Sequence, residues 1–474
     1  MKRLLPCLLV LVPWLVAAET AAQHAPTRPM NLVLVVVDDL GWADLGCYGA
    51  DLHRTPHIDA LARSGLRFTQ SYAASPVCSP TRASLHTGRH PARLGITIWR
   101  ERAAQGPMRG RGLVCPRGKD HLPHSEITLA EVLRQAGYTT LHVGKWHLGT
   151  DLHAPETQGF DVNIGGTRWG APPTYFYPYR GLFGARKEHR YVPDLPFGSP
   201  GEYLTDRLTQ EAIRLLGQVK DRPFFLHLAY HTVHTPIEAK PEVVQLYRQR
   251  LRPGMKHQNP TYAAMVHHLD ENVGRLLAAL RRLGLEQNTA VVLLSDNGGY
   301  VNHYQGRRVT NNHPLRSGKG SLYEGGIRIP TIVRWPGVTP AGRVCHEPIS
   351  TVDWFPTILN LLGLKNPGKV PLDGVDISRL LRDPQARLSR RTLFFHYPHF
   401  YPTTTPVSAV RQGEWKLLWY FDGPRAELYH LAQDPGEQHD LARKHPQRVE
   451  QLAAELRRWW QQVGAELPRR EKPR

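Results

Sequence analysis

Two groups of polar residues offer oxygen ligands only: Asp38 and Asp39 follow one apolar run, and Asp296 and Asn297 follow another. Three carboxylates and a carboxamide suit a hard cation, with Ca²⁺ preferred and Mg²⁺ the alternative, better than zinc or copper. Left without a cation, such carboxylates are expected to repel one another. Two further groups carry cations and proton carriers, Lys145 with His147 and His231 with His234. Taken singly, these histidines read as structural and Lys145 and Lys319 as surface cations. What argues for chemistry is the place of the histidines at apolar-run ends and the glycines beside the lysines, which let backbone approach a ligand closely.

A last constellation is Cys78-Ser-Pro-Thr-Arg82, followed by Ala83 to Thr87 and Gly88. With Ser79 as a cap and Pro80 at a first helical position, residue 78 is expected at a helix N-terminus, where free N–H groups favour an anion. A buried structural thiol and a nucleophilic cysteine of lowered pKa are the other readings of Cys78.

These residues need a scaffold, and four continuous apolar runs supply one: Asn31 to Val37, Thr139 to Val143, Phe224 to Leu228 and Ala290 to Leu294. Runs without alternation suit strands buried on both faces of a parallel sheet. Helix signals fall between them. Thr55-Pro56 opens a helix that Gly65 closes, Thr128 with Glu131 forms a capping-box pattern, and Tyr262 to Leu283 is a helix stopped by Gly284. Alternating strand and helix predicts a doubly wound α/β domain, whose ligands bind beyond the carboxyl ends of the strands. From about residue 385 the pattern changes to short antiparallel strands near Thr392 to His396, Ser408 to Arg411, Glu414 to Tyr420 and Glu427 to Tyr429, then a helix from about Gln447 to Val463. The division expected is therefore residues 23–384 as a catalytic domain and 385–474 as a small sheet-and-helix unit.

Composition narrows the class further. The chain has 474 residues, 41% of them hydrophobic, which excludes global disorder. A formal charge of +19 raises the prospect of a polyanionic partner, although 47 Arg against 13 Lys also fits a plain basic surface. Lys2, Arg3, the apolar run Leu4 to Ala18 and the small residues around Ala22 read as a secretory signal over residues 1–22. The expected location is outside the cytoplasm: periplasm, extracellular space, or a lysosome-like compartment. No membrane span is expected. Cys47, Cys78, Cys115 and Cys345 form no disulfide framework, and CxxC, HExxH and Walker A patterns are missing from the sequence.

Cys78, Pro80 and Arg82 form a CxPxR signature that resembles that of the type I sulfatases. The resemblance extends to Val37-Asp38-Asp39-Leu-Gly41, Leu45-Gly-Cys-Tyr-Gly49, Gly144-Lys-Trp-His-Leu-Gly149, Ser295-Asp-Asn-Gly298 and Gly318-Lys-Gly-Ser-Leu-Tyr-Glu-Gly-Gly326. It implies an alkaline-phosphatase-like α/β sandwich with a smaller C-terminal antiparallel sheet. It also implies that a formylglycine-generating maturation enzyme converts Cys78, that Asp38, Asp39, Asp296 and Asn297 hold Ca²⁺, and that the hydrated aldehyde is the nucleophile. Arg82, Lys145 and Lys319 would neutralise the sulfate, His234 would protonate the leaving alcohol, and His147 would take the proton that lets sulfate depart.

Substrate binding is expected from the loop Gly165 to Pro200, through Arg168, Trp169, Tyr175, Phe176, Tyr177 and Tyr179, with His396, Tyr397, His399 and Tyr401 closing the other side. The run Arg89, Arg93, Arg100, Arg102, Arg109, Arg111 and Arg117 is either a track for a sulfated polysaccharide or solvated surface. Two rivals to sulfate-ester hydrolysis of a carbohydrate stand: a phosphomonoesterase or phosphodiesterase of the same superfamily, and a noncatalytic binder of sulfated glycans. Nucleic acid is disfavoured, since no recognition motif for it is present.

Overall fold

The computed structural model describes residues 29–368, 371–390, 392–423 and 425–471; the signal assigned to residues 1–22 lies outside them. Nine strands build the main sheet: β1 (Asn31–Val37), β2 (Leu66–Tyr72), β3 (Thr139–Gly144), β4 (Val162–Ile164), β5 (Phe224–Tyr230), β6 (Thr289–Ser295), β7 (Arg328–Arg334), β8 (Arg343–Cys345) and β9 (Ile349–Ser350). Their order is β8-β2-β7-β6-β1-β5-β3-β4, with β9 also on β2. The block β6-β1-β5-β3-β4 is parallel throughout, while β7 runs antiparallel to both β6 and β2. The sheet is thus mostly parallel, as its uninterrupted apolar strands require.

Helices cover both faces: α1 (Pro56–Ser64), α2 (Cys78–Thr87), α3 (Leu129–Gln135), α4 (Leu204–Val219) and α5 (Pro260–Arg282). Their ends follow local chemistry. Thr128 and Glu131 form the capping box, each side chain accepting from the other's backbone N–H. Asn259 caps α5 by accepting from Thr261 and Tyr262 N–H, so this helix starts at Pro260, two residues earlier than its apolar stripe suggests. Alternate residues of β1 feed two cores. Val33, Val35 and Val37 pack with Leu208, Leu269 and Leu276 of α4 and α5; Leu32, Leu34 and Val36 pack with Leu85, Leu129 and Leu133 of α2 and α3. Each such buried side chain contributes about 1.5–3 kcal/mol, so the central strand is anchored on both of its faces.

The C-terminal sheet is antiparallel, in the order β10 (Thr392–Tyr397), β11 (Val407–Gln412), β12 (Trp415–Tyr420) and β13 (Ala426–His430). Its alternation gives it two buried faces. Val410, Leu417 and Leu428 meet Leu452, Leu456 and Trp459 of α6 (Pro446–Val463), while Phe395, Tyr397, Ala409 and Leu418 meet Tyr72, Val77 and Leu322. The second contact places this sheet directly behind Cys78 and the Lys319 loop. Among the described residues, no helix is long and apolar enough to cross a membrane, and Cys47, Cys78, Cys115 and Cys345 are free thiols.

Candidate active site

Strand register brings the polar ends together. Val37 is level with Ser295 of β6 and Tyr230 of β5, and Gly144 of β3 is level with Ala229. Asp38, Asp296, His231 and Lys145 therefore leave the sheet along one line, and all four are buried. Residue 78 is the first residue of α2, as expected, but not by the expected cap. The N-cap is Val77, and the Ser79 hydroxyl instead donates to the His147 carbonyl at 2.9 Å. Pro80 sits within the first turn, where its missing N–H costs nothing.

Each of the three carboxylates has a cationic partner, although Asp296 and Asp39 still repel the charge on Asp38, as expected of clustered carboxylates. Lys145 Nζ donates to Asp38 Oδ2 at 2.6 Å, Lys319 Nζ to Asp39 Oδ2 at 2.9 Å, and Arg82 Nε to Asp296 Oδ2 at 2.8 Å. Asn297 Nδ2 donates to Asp39 Oδ1 at 2.8 Å, and the Asp39 N–H to Asp296 Oδ1 at 3.2 Å. Two oxygens remain without partners in this buried cluster, Asp38 Oδ1 and Asn297 Oδ1. Orphaned buried oxygens beside ionised carboxylates are what a hard oxygen-seeking cation satisfies, so the residues fit Ca²⁺ or Mg²⁺.

The fields differ from group to group. Burial raises Asp38 well above the usual carboxylate range despite Lys145. Burial also works against ionised Asp39, but Lys319, His234 and Lys145 outweigh it and hold that carboxyl down to about 2. The Cys78 thiol is pushed up by burial, with Lys145 and Lys319 opposing. Burial lowers His234 to about 3, helped by Lys319, and lowers His147 to about 4 against the pull of Glu101. Both imidazoles are therefore neutral near pH 7.

Above position 78 lies a cavity of about 260 Å³. Cys78, His147, His234 and Lys319 line its floor; Trp99, Glu101, Gln105, Gly170, Ala171, Phe183, Arg190 and Tyr401 line its walls. Tyr401 comes from the loop after β10 and stacks edge-on against Trp99 at 5.7 Å. A second acid and histidine cluster, Asp44 with His53 and His257, lines no part of this cavity, and Asp44 is engaged by Thr310, Tyr262 and the Gly41 N–H.

Residues 30–364 match the family model described as Sulfatase, and residues 317–465 match one described as N-sulphoglucosamine sulphohydrolase, C-terminal. The chain belongs to the sulfatase family. It is 35% identical to human (Homo sapiens) arylsulfatase A over 89% of this chain and 85% of that protein. It is 33% identical to rat (Rattus norvegicus) N-acetylgalactosamine-6-sulfatase over 91% and 85%. Among solved structures, Ps i-CgsB in complex with k-i-k-neocarrahexaose superposes with a TM-score of 0.74 at 30% identity, covering 91% of this chain and 93% of that one. The sulfatase is thus a sulfuric ester hydrolase of alkaline-phosphatase-like fold.

Of the substrate-binding residues expected in this sulfatase, two are corrected outright. Tyr175 is fully buried, and its hydroxyl donates to the His231 and His234 carbonyls at 2.6 and 2.9 Å, so it braces that turn and faces no sugar. His396 is equally buried, held by Ser408 Oγ at 2.6 Å and the Glu466 carbonyl at 3.0 Å. Trp169 is buried, its indole N–H donating to Glu188, and half-buried Arg168 lies over the Trp169 ring; neither lines the cavity. The same loop contributes Phe183 and Arg190 instead. Of the basic run, Arg89, Arg93, Arg109 and Arg111 are paired with Glu126, Asp373, Glu471 and Asp422. Sequence reading passed over Glu101, although it is the one acid between Arg89 and Arg117, an oddity in so basic a stretch.

Proposed function

We propose that this sulfatase removes sulfate from a carbohydrate, using formylglycine made from Cys78 by a maturation enzyme and a Ca²⁺ ion held by Asp38, Asp39, Asp296 and Asn297. The observation that carries the reading is the shared cavity: Cys78, His147, His234 and Lys319 face one space, above a carboxylate cluster with two unsatisfied oxygens. When present, the ion would polarise the sulfate oxygens and the hydrated aldehyde would supply the attacking hydroxyl and the second hydroxyl needed for release.

The rest is the work of the chain's own groups. Lys319, Lys145 and Arg82 sit on the carboxylates and present positive charge to an incoming sulfate ester. His234 is neutral near pH 7, its Nδ1 meeting the Thr235 carbonyl at 2.8 Å and its Nε2 lying 3.6 Å from Asp39. An anionic ester beside it raises its pKa, so it becomes an acid for the leaving alcohol once substrate is bound. His147 accepts the proton whose loss lets sulfate go. Around them, Trp99, Phe183 and Tyr401 offer ring faces and Glu101, Gln105 and Arg190 offer polar edges, the mixture that suits a sugar.

The phosphatase alternative fares worse on the residues present: Asp38, Asp39, Asp296 and Asn297 offer ligands for one obvious ion, and Cys78 stands where a phosphatase would carry Ser or Thr. Export is part of the proposal, on the basic and apolar character of residues 1–22. The test is a panel of sulfated mono- and disaccharides beside aryl sulfate and aryl phosphate, with conversion of Cys78 verified by intact mass. Cys78→Ala should lower sulfate release by more than about 1000-fold. Full activity in that variant, or a preference for phosphate, would overturn the reading.

A further inference from the structure

Glu101 lies on a short helical turn, Arg100–Ala104, far from every strand end, yet its carboxylate reaches the ring of His147. His147 Nε2 and Glu101 Oε2 are 2.5 Å apart. An ionised carboxylate can only accept, so Nε2 must carry the proton. Glu101 stays ionised: burial works against its charge, but His147, Arg190 and the Gly170 N–H hold it well below the usual carboxylate range. Its other oxygen accepts from the Gly170 N–H at 2.8 Å and lies 3.5 Å from Arg190.

The second ring nitrogen is in the opposite condition. His147 Nδ1 is buried and has no partner, in a cavity it shares with Cys78. The ring is wedged: a Cβ on Gly170 would come within 2.3 Å of His147 Cε1. The backbone of His147 is in the left-handed region, with φ 63°, so its direction is set by its surroundings and not by preference. A further link closes the arrangement. The Arg100 N–H donates to Ser79 Oγ at 3.1 Å, and that same hydroxyl donates to the His147 carbonyl. Residues 100 and 101 therefore grip His147 at its ring and, through Ser79, at its backbone, and they tie it to the first turn of α2.

We propose that Glu101 is a positioning residue for His147, fixing the tautomer with hydrogen on Nε2 and leaving Nδ1 as the atom that accepts the proton beside position 78. This rests on the sulfatase reading of the cavity for its chemistry, but the tautomer itself does not. With a formylglycine hydrate at position 78, Nδ1 would take the proton of the free hydroxyl, whose O–H electrons form the aldehyde C=O as the C–O bond to sulfate breaks and sulfate leaves, and the Glu101 carboxylate at Nε2 would compensate the imidazolium. Lys145 and Arg82 favour the neutral form of this ring, and Glu101 is what opposes them by stabilising the protonated state. A consequence for recognition follows from the same contacts: Arg190, paired with Glu101 and Glu188, is not a free cation for a second anionic group.

The test uses the unconverted Cys78 chain, with ¹⁵N-labelled histidine, and does not require activity. In the wild type the His147 ring should show a protonated Nε2 and an unprotonated Nδ1. Glu101→Gln should lose that fixed pattern, giving a mixed or reversed tautomer. A wild-type ring with hydrogen on Nδ1, or an unchanged pattern in Glu101→Gln, overturns the proposal; the wild-type spectrum decides even where the variant does not fold. In the converted enzyme, Glu101→Gln should cut kcat by about 10- to 100-fold with KM little changed, and Glu101→Asp should restore part of it. A loss confined to KM would also overturn it. Failure of every form to release sulfate would count against the sulfate-ester reading alone, since the ring spectrum still decides the role of Glu101.

Discussion

At the strand ends Asp38, Asp39 and Asp296 face Lys145, Lys319 and Arg82; between the two sheets Glu324 and Glu437 face Lys416. Both clusters are buried, and both pair acids with cations at hydrogen-bond distance. They differ in how they are completed. Glu324 accepts from Lys416 Nζ at 2.9 Å on one oxygen and from the Tyr72 hydroxyl at 2.6 Å on the other, and its own N–H donates to Glu437 Oε2 at 2.7 Å. Glu437 Oε1 also lacks a hydrogen bond but lies 2.9 Å from Lys416 Nζ, whereas the unpartnered Asp38 Oδ1 and Asn297 Oδ1 belong to a cluster beside the cavity that holds Cys78. Buried charge alone therefore does not mark a functional site; orphaned oxygens beside a cavity that holds a candidate nucleophile are the stronger sign.

The sharpest way to break this contrast is to cut the lysine of the closed cluster. Lys416→Met removes the cation shared by Glu324 and Glu437, leaving Glu324 only Arg328 and Arg411, and should cost about 3–5 kcal/mol of stability, read as a lower denaturation midpoint. A neutral result would mean that the two arginines compensate the acids without Lys416.

In the open cluster the expected effect falls on ion affinity. Calcium at one hundred times its Kd should stabilise the wild type by about 2.7 kcal/mol over chelator-treated protein. Asn297→Ala removes one orphaned oxygen without changing charge, so most of that gain should vanish at the same calcium concentration and return in part at higher concentration. An undiminished gain in Asn297→Ala would show that the ion binds elsewhere.

How far the sequence announced these two clusters is instructive. The strand-end groups were legible because apolar runs ending in Asp, Lys, His or Asn can be seen locally, and a parallel sheet puts such ends on one side. The inter-sheet cluster was not, since Glu324, Lys416 and Glu437 meet only when two sheets pack. Glu101 fails for the same reason: its meaning depends on His147, 46 residues away. Tyr175 was misplaced because an aromatic ring in a loop has the same sequence signature whether it faces sugar or braces backbone carbonyls, and His396 because the sequence of β10 does not show that its faces are covered by other elements. β2 and β7 went unread, although Leu66, Phe68 and Tyr72 are buried on a strand with more polar neighbours between them.

The smallest effect expected is on pH, and it comes from the closed cluster having two acids for one lysine. Burial and the neighbouring Glu324 push Glu437 up to about 7 from an ordinary 4.5, against the pull of Lys416. A carboxyl raised on folding favours the protonated native state. Its contribution is thus complete below its unfolded pKa and is lost as pH rises through the folded one. Glu324 behaves in the reverse sense: Lys416, Arg328 and Arg411 overcome burial and hold it to about 2, so its contribution is lost only on acidification below its ordinary pKa. The two windows separate, and between about pH 5 and about pH 8 Glu437 alone of this pair should make the protein less stable as pH rises, by on the order of 1 kcal/mol. Glu437→Gln keeps an acceptor for Lys416 and removes the titration, so denaturation midpoints measured across that range should lose this slope. If the slope survives in Glu437→Gln, the acid pair is not sharing Lys416 as the geometry indicates, and the closed cluster would have to be redrawn as an ordinary ion pair with a bystander.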